Sequence, residues 1–129
     1  ICIYKNNGTG VFSGTQDSQI SHSLPLNIFI GDLNNDHYTD AVISSSSSNG
    51  AYLINNQNGN FIKQDLPLPV YNGALFDIDF DGDLDIICYS SSNALVILKN
   101  DGNADFTKSA EASGLSGVGS ITVFTFEED

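Results

Sequence analysis

Positive charge is what this 129-residue sequence has least of: four Lys and Arg stand against sixteen Asp and Glu, for a formal net charge of −12. A nucleic acid or an anionic membrane surface needs a basic partner, so neither fits this chain. Methionine is absent, Glu is scarce, and so are the basic residues that favour helices. There is no run of about eighteen apolar residues to span a bilayer as a helix, and no signal peptide is visible. The chain opens on Ile1, directly into a strand-like pattern, as expected of an N-terminus processed or cut from something longer. The two cysteines, Cys2 and Cys88, have neither metal-ligand spacing nor the numbers of a disulfide framework, and both are expected as small buried apolar side chains. His22 and His37 are isolated and read as surface or turn residues. No Ser/His/Asp order, Cys/His pair or Gly-rich phosphate loop supports nucleophilic or phosphoryl chemistry.

What the chain has in quantity is Gly, Ser, Asn and Asp, with Val, Ile, Phe and Tyr between them, at 40% hydrophobic content. That is too apolar for a disordered acidic tail and is the composition of short strands joined by turns. The densest feature is Asp77-Ile78-Asp79-Phe80-Asp81-Gly82-Asp83-Leu84-Asp85, five carboxylates in nine residues. Such a crowd repels itself unless a cation offsets it. Short carboxylates at alternating positions, with Gly at a sharp turn, suit a hard, oxygen-seeking ion such as Ca²⁺.

The feature recurs. Asp32-Leu33-Asn34-Asn35-Asp36-His37-Tyr38-Thr39-Asp40 carries oxygen-bearing residues at the same positions 1, 3, 5 and 9, at an offset of 45 (77 − 32). The Asn/Gly turn before Phe61 recurs before Phe106 at the same offset (106 − 61), and a similar turn precedes Phe12. Strands are expected at 27–30, 41–45, 51–54 and 60–63, and again at 74–76, 86–89, 94–98 and 105–108. The serine run at 44–48, echoed at 90–92, reads as a polar strand end and turn. Residues 103–119 are Ala- and Ser-rich and could carry one helical turn. Four short strands per unit of about 45 residues is the measure of a β-propeller blade. The expected organisation is the end of one repeat (1–25), two whole repeats (26–71 and 72–118) and the head of another (119–129), with Phe124 to Asp129 laid over Phe76 to Asp81. Propellers close with roughly four to eight blades, so the expected fold is all-β, a segment of a larger propeller completed by the rest of the chain or by other copies.

An EF-hand shares the D-x-D-x-D-G opening but needs Glu at position 12 and flanking helices; here position 12 is Ile43 or Cys88, and the flanks are strand-like. With repeat and loops both in view, the chain resembles the FG-GAP/VCBS repeat family of integrin-alpha-like propellers, whose pattern is an apolar strand, a D-x-[DN]-x-[DN]-G-x-x-D loop and a further apolar strand. The resemblance implies Ca²⁺ held between the first two strands of a blade by Asp77, Asp79, Asp81, Asp83 and Asp85, and by Asp32, Asn34, Asp36, Tyr38 and Asp40. Position 7 (Tyr38, Asp83) would offer its backbone carbonyl. It further implies an extracellular, non-catalytic scaffold for adhesion or for recognition of a protein or glycan ligand. A lectin-like module and an accessory propeller of a secreted hydrolase or lyase are the alternatives. Tyr4, Tyr52, Tyr71 and Tyr89 could stack on sugars but read more readily as core, and Asn7-Gly8-Thr9 forms a glycosylation sequon on a hairpin turn.

Overall fold

The computed structural model describes residues 1–12, 18–58, 60–115 and 119–124. Ten strands run in chain order: β1 (Cys2–Ile3), β2 (Ser18–Gln19), β3 (Pro25–Gly31), β4 (Asp40–Ser45), β5 (Ala51–Asn55), β6 (Phe61–Asp65), β7 (Val70–Phe76), β8 (Asp85–Ser90), β9 (Leu95–Asn100) and β10 (Phe106–Ala112). They form two four-stranded antiparallel meanders, β3-β4-β5-β6 and β7-β8-β9-β10, and a small β1-β2 ribbon. The architecture is all-β, and the two meanders have the form of propeller blades. Among the described residues no helix is long and apolar enough to cross a membrane.

The two meanders superimpose in register. Gly31 pairs with Asp40 and Ile30 with Ala41 in the first; Phe76 pairs with Asp85 and Leu75 with Ile86 in the second. Each first strand carries an irregularity at the same place, between Pro25 and Ile28 and between Val70 and Asn72. These bulges break the alternation of faces, which is why β7 begins at Val70 rather than at 74 as its pattern suggests. The expected helical turn in 103–119 is not formed by the described residues there. Phe106 to Ala112 instead pair with β9 across a bulge at Lys108/Ala110, and that pairing overrides the helix preference of Ala110 and Ala112. The serine run closes β4 as expected: Ser44 and Ser45 are buried, Ser45 Oγ donates to Ser23 O at 2.6 Å, and the Ser47 and Ser48 amides cap Ser45 Oγ at 3.2 Å.

Both faces of the first meander are used. Val42 and Tyr52, with Phe29 and Ile54, face the second meander and meet Ile86, Cys88, Val96, Leu98 and Phe106 in one apolar layer. Tyr52 and Phe106 meet edge to face across it, centroids 5.2 Å apart. Each such side chain, fully buried, contributes about 1.5–3 kcal/mol. Ile43 and Leu53 face the other way and are covered by Ile1, Ile3 and Ile20. Tyr52 and Tyr89 are therefore core residues rather than sugar platforms, whereas Tyr4 is exposed. Cys88 is buried as expected, its thiol pushed up to about 12 by desolvation. Cys2 departs from expectation: it is exposed, because a two-residue strand at the rim has one covered face.

Gly73 permits the close approach of β7 to β8. A Cβ there would stand 2.6 Å from Ile87 O, a backbone atom that cannot step aside. Gly73→Ala should therefore cost about 1–3 kcal/mol, read as a lower urea midpoint with unchanged slope; an unaltered midpoint would mean that the two strands separate freely.

Candidate functional site

Each acidic loop joins the first strand of a meander to its second, and each is held by the same bonds. The position-1 carboxylate folds the loop over itself: Asp77 accepts the Asp81 and Gly82 amides at 3.1 and 2.9 Å, and Asp32 accepts those of Asp36 and His37 at 3.2 and 2.8 Å. Position 5 caps position 7, with Tyr38 N to Asp36 Oδ1 at 2.9 Å and Asp83 N to Asp81 Oδ1 at 3.0 Å. The Tyr38 amide is the foremost reason that the Asp36 carboxyl lies below its ordinary range, followed by smaller contributions that include the Asn34 amide. The fold-back needs a left-handed residue at position 6. Gly82 supplies it at φ 97°, and His37 adopts it at φ 66°. The first loop therefore closes on the same path as the second despite lacking the glycine.

Position 9 is different in kind. Asp40 and Asp85 are buried, 1% and 0% exposed, and each carboxylate spends both oxygens on backbone. Asp85 accepts Ile78 N at 3.0 Å and Asn100 N at 2.9 Å; Asp40 accepts Leu33 N at 2.9 Å and Asn55 N at 2.8 Å. One side chain on the second strand thus ties the loop to the end of the third. Burial is the main influence on Asp40 and pushes its carboxyl up; the Asn55 and Leu33 amides oppose that, and the nearby Asp36 and Asp32 charges add to it. A positive charge nearby would relieve this carboxylate.

In the second loop Asp77, Asp79 and Asp85 converge, with one oxygen from each lying within 4.8 Å of the others. Asp81 lies outside this group. The Asp83 side chain turns away from it, accepting a hydrogen bond from Asn35 Nδ2 at 2.6 Å, so Asp83 can face the loop interior only through its backbone. Lys99 pairs with Asp79 and brings a positive charge to the rim of the cluster. At the corresponding positions of the first repeat stand Ile54 and Asn34, so that loop has neither the lysine nor its carboxylate partner. The three-carboxylate geometry and the chemistry of the donors fit a hard cation, and the second loop fits it better than the first. The possible third loop, Glu127 to Asp129, lies outside the described residues.

Two features escaped the sequence reading. Asn100 is a buried hub: its side-chain amide donates to Leu33 O at 2.8 Å and to Leu84 O at 3.1 Å, joining the loops of both repeats. Asn35 reaches across to Asp83 and Gly102 O, latching the first loop to the second. The recurrence of Asn55 at Asn100 was a visible signal for the first; a contact between repeats leaves no comparable pattern for the second.

Residues 32–88 match the family of FG-GAP-like repeats. This chain carries an FG-GAP-like repeat. The matched span begins at position 1 of one acidic loop and ends on the second strand of the next meander, so it holds both acidic loops. No curated protein and no solved structure matches the chain.

Because both Asp85 oxygens are engaged by buried amides, Asp85→Asn turns an amino group toward one of those donors and strands it. The expected cost is about 1–3 kcal/mol, measured by urea unfolding in the presence of chelator; Asp81→Asn, at an exposed position, should change little under the same conditions. Equal midpoints for the two variants would contradict the structural role of Asp85.

Proposed function

We propose that this chain is a Ca²⁺-stabilised part of an extracellular β-propeller-type scaffold that serves adhesion or ligand recognition and performs no chemistry of its own. The observation that carries the calcium reading is the convergence of Asp77, Asp79 and Asp85, whose repulsion Lys99 meets only from the Asp79 side. These three would hold the ion, with Asp81 and the Asp83 carbonyl as further oxygen donors. In the first loop Asp32, Asn34, Asp36, Asp40 and the Tyr38 carbonyl would form a weaker site. The ion supplies positive charge that offsets the crowded carboxylates. Because the loop also anchors two strands and the third-strand end, binding energy becomes folding energy. The strongly acidic composition and the scaffold character of repeats with one recurring loop support the extracellular, non-catalytic reading.

Calcium at about a hundred times its dissociation constant should add about 2.7 kcal/mol to the stability of the fold, seen as a melting temperature that rises with calcium and falls in EGTA at physiological salt. Asp77→Asn with Asp79→Asn should remove most of that increment. Lys99→Gln should raise calcium affinity several-fold, since the ammonium competes for Asp79. A melt indifferent to both calcium and EGTA would remove the cation from this reading.

A further inference from the structure

At the end of the first meander away from its acidic loop lies a hollow of about 320 Å³, whose lining includes Ser21, His22, Ser23, Asn49, Lys63 and Asp65. Its walls are the outermost strand β6, the β4–β5 connection and the link from β2 to β3. Small-molecule sites run from roughly 300 to 1,000 Å³, so there is room for one small ligand. All six of these side chains are polar. His22, expected at a surface or turn, is half-buried, and its Nε2 is buried without a hydrogen-bond partner. Buried polar atoms are nearly always bonded, to the protein or to something held there.

The second repeat shows the same place occupied by apolar side chains. Two fixed points bracket the link in each repeat. Ile20 N bonds Ile1 O at 3.0 Å and Leu66 N bonds Gly50 O at 2.8 Å; Pro25 pairs with Ser45 and Val70 with Ser90. Between these points stand Ser21-His22-Ser23-Leu24 in one link and Pro67-Leu68-Pro69 in the other. Leu68 packs against the apolar layer between the meanders. By register, Asn49 takes the position of Ala94, which is fully buried. The ion pair, in contrast, recurs. Lys63 and Asp65 align with Lys108 and Glu111, and both pairs are formed. The pair therefore belongs to the repeat, whereas the imidazole, the serine hydroxyls and the Asn49 amide belong to the first repeat alone.

The hollow offers donors and acceptors side by side without net charge. Lys63 bonds Asp65 Oδ1 at 2.6 Å, which leaves further ammonium hydrogens and the second carboxylate oxygen. Burial foremost, and then the Lys63 ammonium, hold the His22 imidazole below its ordinary range against the opposing pull of Asp65, so at neutral pH one ring nitrogen donates and the other accepts. Asn49 donates its side-chain amide to Leu66 O at 3.0 Å and keeps its side-chain oxygen as an acceptor. A cation would meet Lys63; an anion would meet Asp65 and a chain of net charge −12. A hydroxyl both donates and accepts, and a sugar ring carries several on neighbouring carbons. We propose that the hollow binds one neutral sugar ring, whose hydroxyls bridge His22 Nε2, the Asn49 side-chain oxygen and the Lys63–Asp65 pair. This names a ligand for the recognition role proposed above and rests on that reading, but not on the cation, since the acidic loop stands at the other end of the strands.

The test follows the amide and imidazole NMR signals of the isotope-labelled chain in calcium buffer, titrated with the methyl glycosides of glucose, galactose and mannose to about 0.1 M. At least one glycoside should shift the signals of Ser21, Ser23, Asn49, Lys63, Asp65 and the His22 ring, saturating with a dissociation constant of about 1–10 mM. Asp65→Asn, at an exposed position, should weaken binding about three- to tenfold with an unchanged urea midpoint. His22→Leu with Asn49→Ala, which brings the apolar character of the second repeat into the hollow, should weaken it at least about tenfold with an unchanged circular dichroism spectrum. Sodium acetate and zinc chloride should leave these signals in place. No saturable shift with any of the three glycosides, saturation at these residues by acetate or zinc instead, or unaltered affinity in both variants overturns the proposal. Melting with and without calcium, run alongside, decides the cation reading separately, so that either can fail alone.

Discussion

The structure depends on a buried carboxylate placed where three chain segments meet. Asp40 and Asp85 each begin a second strand, and each bonds the amide at loop position 2 and the amide that ends the third strand. A charged group without partners would be intolerable there; with both oxygens bonded, it is a fixed joint. The acidic loop cannot open without exposing that joint, and the third strand cannot shift register without breaking it.

Around this joint the two roles of the loop divide. Positions 1, 5 and 6 shape the backbone: Asp77 and Asp32 fold the loop back, Asp81 and Asp36 cap it, and Gly82 and His37 take the left-handed turn. Shape survives in the first loop even where the glycine is replaced. Charge convergence does not survive equally, because Asn34 stands where the second loop has Asp79. Within one chain the same fold thus carries a three-carboxylate cluster, balanced in part by Lys99, and a less charged copy of it. Loop geometry and carboxylate convergence are separable properties.

Contacts between repeats show a similar division. The apolar layer of Val42, Ile86, Leu98 and Phe106 is generic to two packed sheets, whereas Asn100 to Leu33 O and Asn35 to Asp83 are particular pairings. They set the distance at which the second repeat follows the first. Gly31 belongs with them, since its missing side chain lets Leu75 and Leu84 approach.

Local pattern was enough to locate the eight strands of the two meanders, though not their full lengths, the 45-residue spacing and the two loops, because alternation, turn residues and Asp spacing act over a few residues and repeat themselves. It named Asp77, Asp79 and Asp85, which the fold brings together, along with Asp81 and Asp83, which lie outside that convergence. Three things needed the tertiary structure. The bulges that lengthen β7, and the β9 pairing that keeps Phe106 to Ala112 extended, depend on the neighbouring strand. The direction of Asp83, out toward Asn35 rather than into the loop, depends on the adjacent repeat. The exposure of Ile28 and Ile30 depends on how far Ile1, Ile3 and Ile20 reach. In each case the deciding partner lies far away in the chain, and alternation within a strand says which residues share a face but not what lies against it.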